Sequence, residues 1–414
     1  MLGVGESSPA WLTRYKEDSQ QRFESMGYPT KKSESWRYTS VRPISSATWS
    51  DATKVEASFS SPIQSSCQLV FVNGFFHSSK RSEGLSDALT VLPFSEALAD
   101  ERYDLAQIVA DQSKANDEPF VALNASNFAD GAYIHLKAGL EISTPIELVF
   151  IATDGMRIHP RIVFSGGSNS KAVLVERYVA LDGGSYLTNS VSQVALSAGA
   201  QLEHIRIQDE SLDAYHIGFT QVVQERDSSY VAHTYSLGGK IGRSEIQSRF
   251  DGPGASCSLN GLYVPTGGQN HDNYTVIDHA TPHCTSSEYY KAVVSDGATG
   301  SFQGRVLIGE GAVGSCSDQL NRNLLLGDAA VANTKPQLEI DNDDVKATHG
   351  STVGQLDEEA VFYLMARGLP KAYAKAFLVR AFADEIIEAI SAEDLRADVK
   401  AMFAARLEKV GAVI

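Results

Sequence analysis

The sequence has few cysteines, no long apolar run and no excess of positive charge. Its 414 residues include four cysteines, and no two of them form a CxxC pair. This is too few for a disulfide framework and is typical of a reducing compartment. The apolar runs fall far short of the ~20 residues that a membrane helix needs, and the N-terminus lacks the basic and apolar segments of a signal peptide. We therefore expect a cytoplasmic protein.

The charge balance limits the partners that the chain can bind. Lys and Arg total 35 against 51 Asp and Glu, a formal net charge of −16. An acidic protein repels phosphate backbones and anionic lipid unless basic residues are locally concentrated. The longest basic run is the pair Lys31-Lys32. We therefore expect neither nucleic acid nor a membrane as a partner.

The first third of the chain has a mixed, partly helical pattern. Apolar residues spaced over 9–26 predict a helix that begins after Ser8-Pro9 and ends at Gly27. The polar stretch 29–61 reads mostly as loop. A second helix is predicted from Phe94 to Lys114. Its predicted apolar stripe consists of Leu98, Leu105, Ile108 and Val109.

Short segments of alternating polarity dominate from Val121 to Thr334 and predict β-strands. No amphipathic helix lies between them, which argues against βαβ units. The pattern leaves a large sandwich and a β-solenoid about equally favoured. The clearest predicted strands are 132–136, 146–150, 172–176, 186–191 and 202–207.

The pattern becomes helical after Gly354, with a break at 368–370. The predicted apolar stripe of the central helix consists of Ala374, Phe377, Leu378, Ala381, Phe382, Ile386, Ile387 and Ile390. Ser391 and Asp394 can cap a last helix. That helix contains Leu395, Met402, Phe403 and Leu407. A tail this apolar must pack on the β body or on a partner.

The densest polar cluster lies between positions 271 and 284. Its potential metal ligands are His271, Asp272, Asp278, His279, His283 and Cys284. Such ligands could bind zinc or iron, but Asp278 and His279 point to opposite faces of a strand. The alternative, polar strand and turn residues with cross-strand hydrogen bonds, is favoured. The individual roles of these residues stay open.

Two further features of the sequence could bind a ligand. The glycine-rich run 238–243 lacks the GxxxxGK[ST] frame of a phosphate loop and predicts a turn. His349 is a potential ligand for iron, copper or zinc, although a hydrogen-bonded histidine at a strand end is the more common case. No nucleophile elbow or HExxH motif occurs, so no catalytic residue is predicted.

A set of motifs spread over the chain gives the strongest indication of function. The densest set comprises KPQLEI at 335–340, DDVK at 343–346, HGSTVG at 349–354, LDEE at 356–359 and FYLMARG at 362–368. Supporting matches are ESWRYT at 34–39, VNG at 72–74, LN at 123–124, RSE at 243–245, GLY at 261–263, DH at 278–279, FQG at 302–304 and NLLL at 323–326. Together these motifs resemble the SufB/SufD family of iron–sulfur cluster assembly proteins, and HGSTVG resembles its SufD type.

The resemblance implies a fold and a set of partners. It implies a right-handed parallel β-helix core flanked by N-terminal and C-terminal helical regions. The corresponding predicted regions are 1–120, helical and mixed; 121–350, β-helix; and 351–414, helical. It further implies a scaffold subunit that pairs with SufB, binds the ATPase SufC through its C-terminal helices, and has no enzymatic activity of its own. A homodimer is possible when SufB is absent.

The resemblance also implies one site residue. A nascent, transient iron–sulfur cluster is expected at the SufB–SufD interface, and the family's histidine there corresponds to His349. Where many related chains have a cysteine two residues earlier, this chain has Ala347. No stably bound cofactor is expected. The alternative hypothesis is a β-solenoid enzyme acting on acidic polysaccharide, by analogy of fold alone.

Overall fold

The computed structural model describes residues 9–99, 105–110 and 118–409. The first helix, α1 (Ala10–Met26), has the predicted bounds and ends at Gly27, whose φ of +66° reverses the chain. The segment 29–61 is mostly irregular, as predicted. Its short elements are a 3₁₀ turn (Glu34–Trp36), α2 (Arg42–Ser45) and β1 (Ser50–Asp51).

The predicted helix 94–114 is replaced by shorter elements. Two helices lie within its range, and the remainder, 100–104 and 111–114, lies outside the described residues. Strands and helices that the sequence analysis did not predict surround them. The elements of this part are β2 (Cys67–Val72), β3 (Phe75–Arg81), β4 (Leu89–Pro93), α3 (Phe94–Leu98), α4 (Leu105–Ala110) and α5 (Pro119–Asn127).

The core is a β-solenoid of about eight turns. All five strands predicted from alternating polarity are present, and the predicted parallel β-helix with helices at both ends is confirmed. The strands are β5 (Gly131–Leu136), β6 (Ile146–Ala152), β7 (Met156–Ile158), β8 (Arg161–Gly166), β9 (Lys171–Ala180), β10 (Leu187–Leu196), β11 (Gln201–Asp209), β12 (Tyr215–Gln224), β13 (Ser229–Ser236), β14 (Ile241–Phe250), β15 (Ser256–Tyr263), β16 (Asn270–His279), β17 (Thr285–Val294), β18 (Thr299–Ile308), β19 (Cys316–Leu325), β20 (Val331–Ile340) and β21 (Lys346–Gly354).

Each coil contributes one strand to each of two sheets. Sheet A runs β20-β18-β16-β14-β12-β10-β8-β5-β4, with β7 joining β1 to β10. Sheet B runs β21-β19-β17-β15-β13-β11-β9-β6-β2-β3. Pairing is parallel and in register within the solenoid, whereas β3 and β4 pair antiparallel at its N-terminal end. Parallel pairing of successive coils excludes the sandwich alternative.

In-register pairing stacks equivalent residues of successive coils into rows. Because aligned side chains on parallel strands lie on the same face, each row is either interior or exterior along the whole solenoid. Near the N-terminal end the interior rows are apolar, with Phe71, Phe150 and Tyr178 stacked ring on ring at centroid distances of 5.1 Å. Toward the C-terminal end buried polar side chains such as Glu288 and Gln319 replace them.

Three helices follow the solenoid: α6 (Glu358–Ala366), α7 (Lys371–Ile387) and α8 (Glu393–Lys409). Helices α7 and α8 bury apolar residues against sheet B. The buried set is Val379, Ala383, Ile386, Ile387, Ile390, Leu395, Val399, Phe403 and Leu407. No helix in the described ranges is long and apolar enough to cross a membrane.

The predicted stripe of α7 is partly wrong. Phe377 is 56% exposed, and Ala381 is exposed as well, whereas Ala376, Val379 and Ala383 are buried. The buried face of α7 is made of alanine and β-branched residues, and the large ring of Phe377 faces away from the sheet.

Candidate functional site

The two ends of the solenoid differ. At the N-terminal end the antiparallel strands β3 and β4 complete the sheets. At the C-terminal end β20 and β21 are terminal strands, and each pairs only with the preceding coil in the described part of the chain. Such strands present unpaired backbone N–H and C=O groups, to which another chain can add.

Interior rows reach this end without being covered. Val353 continues the row of Ala292 and Asn323, both of which are buried. Val353 itself is 49% exposed. Its position on the strand is that of a core residue, and only the missing next coil leaves it accessible. The C-terminal end therefore exposes a cross-section of the solenoid interior.

His349 lies in this cross-section. It is an exposed residue of β21 and is aligned with Gln319 on β19, which in turn is aligned with Glu288 on β17. Gln319 and Glu288 are buried, so the row that contains them is interior. His349 is thus the accessible end of a buried polar row. We call Glu288, Gln319 and His349 the polar row.

The carboxyl group of Glu288 has an unusual environment. Gln319 Nε2 donates a hydrogen bond to Glu288 Oε2. Burial raises the pKa of Glu288 to about 7, although hydrogen bonds from Thr275 and Gln319 oppose the rise. The carboxyl group therefore changes its protonation state near neutral pH.

Ala347 ends a second interior row, which also contains Ser286 and Ser317. Ser286 Oγ lies 2.8 Å from His279 Nε2 and donates to Ser317 Oγ at 2.9 Å. Burial lowers the pKa of His279 to about 4, so the ring is neutral at pH 7. With alanine at 347, this hydrogen-bonded row ends in a methyl group.

The metal-site hypothesis for positions 271–284 is wrong. Asp278 lies outside the solenoid and pairs with Arg249 at 3.1 Å, whereas His279 is buried inside, as strand alternation predicts. His271 and Cys284 are also buried, in the interior and in a turn. His283 lies in that turn with φ of +58°. The favoured alternative is also partly wrong, because several of these residues are core rather than surface residues.

Asp272 has a structural role that explains several motifs. It accepts hydrogen bonds from Arg243 Nη1 at 2.6 Å and from Thr39 Oγ1 at 2.7 Å. The Arg243 guanidinium, fully buried, lies 4.1 Å from the centroid of the Trp36 ring. The ESWRYT motif therefore fixes the N-terminal segment on the outer face of sheet A. The turn predicted at 238–243 is only partly confirmed: residues 238–240 are irregular, whereas β14 begins at Ile241 and includes the last three positions.

The polar row cannot complete a metal site by itself. In the ranges that the structure describes, no group of three or more His, Cys, Asp or Glu side chains is placed to hold a metal ion. His349 supplies one imidazole, and Ala347 supplies no thiolate. These residues fit a site only if a second chain contributes further ligands at the open end.

A second exposed surface lies on the C-terminal helices. Large apolar side chains of α6 and α7 are accessible, led by Phe362 at 71% exposure. This helical patch consists of Phe362, Tyr363, Met365, Tyr373 and Phe377. Several large exposed apolar residues on neighbouring helices are typical of a protein-binding surface.

Sequence reasoning missed Glu288 and Gln319. Neither lies in a motif, and they are brought beside His349 only by the coil repeat. Turns of unequal length separate the three residues, so no fixed short period marks them. Aligning β17, β19 and β21 as successive coils is the signal that could have found them.

Comparison with known proteins agrees with this geometry. The family model described as SUF system FeS cluster assembly, SufBD core domain, matches residues 149–382. The model of the SufBD protein N-terminal region matches residues 3–148.

Full-length relatives agree as well. An iron-sulfur cluster assembly SufBD family protein of Synechocystis sp. is 30% identical, over 95% of this chain and 90% of its own. The iron-sulfur cluster assembly protein SufD of Escherichia coli is 29% identical, over 95% and 94%. A chloroplastic protein of Arabidopsis thaliana, ABCI7, is 28% identical, over 95% and 86%. With its solenoid and both family regions matched, this chain belongs to the SufB/SufD family of SUF-system iron–sulfur cluster assembly proteins.

Proposed function

We propose that this chain is the SufD-type scaffold subunit of a SUF assembly complex and supplies His349 to a nascent iron–sulfur cluster. The cluster is cargo, assembled between two chains and passed on. The observation that carries the proposal is the place of His349 on the exposed cross-section of the solenoid. A chain that docks there meets this imidazole directly.

The partner at the open end is a SufB-type chain. The exposed edges of β20 and β21 can accept further strands, and the interior positions beside them, Val353 among them, offer apolar surface that docking would bury. In the absence of SufB, the same edges can pair two copies of this chain. Ligands beyond His349 come from the partner, because Ala347 provides none.

The second partner is the ATPase SufC, bound through the helical patch. The patch lies on α6 and on the side of α7 that faces away from sheet B. In this arrangement nucleotide hydrolysis belongs to SufC, and the present chain is not an enzyme. Its four cysteines are free thiols, which is consistent with a cytoplasmic location.

A shared site suits a scaffold. A closed set of four protein ligands retains a cluster, whereas one imidazole together with ligands from another chain can release it when the interface opens. A polysaccharide-cleaving solenoid would need an accessible sheet face. Here Trp36 and its neighbours cover part of sheet A, and α7 and α8 cover part of sheet B.

The test is co-expression with the cognate SufB and SufC, comparing wild type with His349→Ala. We expect equal recovery of the complex and loss of most of its iron and acid-labile sulfide. His77→Ala is the matched control, because His77 lies on β3 at the opposite end of the solenoid. Equal iron and sulfide in the His349→Ala complex would show that the cluster belongs to the partner alone.

A further inference from the structure

One side of the Gln319 amide lacks a partner. Its Nε2 donates to Glu288 Oε2, but its Oε1 makes no hydrogen bond with any described residue. The side chain is fully buried, and an unpaired buried acceptor is unfavourable because it has lost its hydrogen bonds to water. The arrangement therefore points to a donor that is not yet engaged.

The amide has little room to find that donor elsewhere. Gly304 lies opposite on sheet A, and a Cβ there would overlap Gln319 Nε2 and lie 2.9 Å from Glu288 Oε2. The amide and carboxylate thus fill the space that a side chain at 304 would occupy. Glu288 lies on the β17 side of Gln319, so the other neighbour of Gln319 in the polar row lies on the β21 side.

The residue aligned with Gln319 on β21 is His349. A neutral imidazole has one N–H donor and one nitrogen with a free lone pair. Ligand histidines usually donate their N–H to an oxygen, which fixes the ring and leaves the other nitrogen for the metal. Gln319 Oε1 is an oxygen in the right row for this bond.

We propose that Gln319, anchored by Glu288, is the positioning residue for His349. Its Oε1 accepts a hydrogen bond from one ring N–H of His349 and leaves the other ring nitrogen available at the open end. This inference rests on the proposed role of His349 in cluster assembly. It assigns Glu288 and Gln319, which carry no motif, to the same site.

The first test is spectroscopic and uses the full chain alone. Ring nitrogens of ¹⁵N-histidine-labelled protein are recorded at a pH at which His349 is neutral, and His349 is assigned by its loss in His349→Ala. We expect the two well-separated resonances of a single tautomer. Averaged resonances in wild type would overturn the proposal without recourse to any Gln319 variant.

Gln319→Met removes the amide while keeping the length of the side chain, and it should shift both resonances toward the averaged position. Asn321→Leu is the matched control, because it removes a buried amide from the next interior position of β19. Asn321 donates to the Tyr290 carbonyl at 3.2 Å and is aligned with Ser351, not with His349. Its variant should keep the wild-type tautomer.

The second test measures iron and sulfide in the co-expressed complex. Loss of such a positioning bond typically lowers metal affinity 10–100-fold. We therefore expect Gln319→Met to lower the iron and sulfide content of the complex about tenfold, and Asn321→Leu to leave it unchanged. If His349→Ala loses its cluster while Gln319→Met loads normally, the positioning role fails and the proposed function stands. If His349→Ala itself loads normally, the proposed function fails.

Discussion

Trp36 and Arg243 form a cation–π contact, in which the buried guanidinium lies 4.1 Å from the centroid of the indole ring. Arg243 belongs to β14 of the solenoid, whereas Trp36 belongs to an otherwise irregular segment. Arg243 is also paired with Asp272 and Glu245 at 2.6 and 2.9 Å. The contact thus fixes a loop-rich segment on the solenoid by a desolvated cation–π interaction.

Trp36→Ala should release this segment. The ring is 3% exposed and also stacks on Phe120 at 5.2 Å, so its loss should lower the free energy of unfolding by about 3–5 kcal/mol. Limited proteolysis should then cleave within 29–61, where wild type resists. Trp36→Phe keeps a ring beside Arg243 and should be protected. Equal cleavage of wild type and Trp36→Ala would contradict the anchoring role.

Glu288→Gln should stabilise the protein at high pH. The folded-state pKa of Glu288 is raised to about 7, so the folded protein disfavours the ionised carboxyl. The resulting loss of folding stability is absent below the unfolded-state pKa, grows as pH rises from about 4.5, and reaches its full value above about pH 7. The amide variant never carries it.

Urea unfolding at pH 5 and pH 8 measures this difference. At pH 8 the variant should be more stable than wild type by roughly 3 kcal/mol, since each pKa unit corresponds to about 1.4 kcal/mol. At pH 5 most of the gain should be gone. A gain that is the same at both pH values would indicate a packing effect and not the ionisation of Glu288.

Features of the fold that depend on residues close in sequence are predictable, whereas those that depend on tertiary packing are not. Local signals fix α1 and its end at Gly27, and strand alternation finds β9 and β11. The face of α7 is not predictable from its own apolar spacing, because Phe377 and Val379 are both apolar and only the shape of sheet B selects between them.

The site depends on longer-range information. His349 is found through the family resemblance alone, since an isolated histidine on a strand has no diagnostic pattern. Glu288 and Gln319 require the registration of successive coils, which turns of unequal length conceal. The residues at 271–284 also require longer-range information. They are close in sequence, but strand alternation and the turn at His283 place their side chains in different parts of the structure.

Acid should destabilise the protein through its buried histidines. Burial lowers the pKa of His271 to about 4 and of His159 to about 3, with the charges of Arg406 and Arg157 adding to the effect. Below about pH 6.5 these two histidines bind protons in the unfolded chain but not in the folded chain. The free energy of unfolding therefore falls as pH drops toward 4.

His271→Gln should remove one part of this dependence. Between pH 6.5 and 4.5 its unfolding should take up about one proton fewer than that of wild type, seen as a shallower slope of the free energy of unfolding against pH. His77→Gln serves as the control, because His77 is only partly buried. A slope unchanged by His271→Gln would show that its ring is protonated in the folded protein.

Substitutions in the helical patch should weaken the binding of SufC without lowering the stability of the protein. Phe362 and Phe377 are 71% and 56% exposed, so replacing both with serine removes little buried area and should change the free energy of unfolding by less than about 1 kcal/mol. Binding of SufC should nevertheless fall by at least tenfold, because exposed aromatic residues on a docking surface carry much of its affinity.

Leu212→Ser is the matched control for this double variant. Leu212 is 47% exposed in the turn between β11 and β12 and is not part of the helical patch. Titration of purified SufC against the three proteins by calorimetry, with urea unfolding alongside, distinguishes the possibilities. Point substitutions are preferable to deleting the tail after Gly354, because that deletion would also uncover the sheet B surface that α7 and α8 bury. Wild-type SufC affinity in the double variant would place the ATPase elsewhere on the chain.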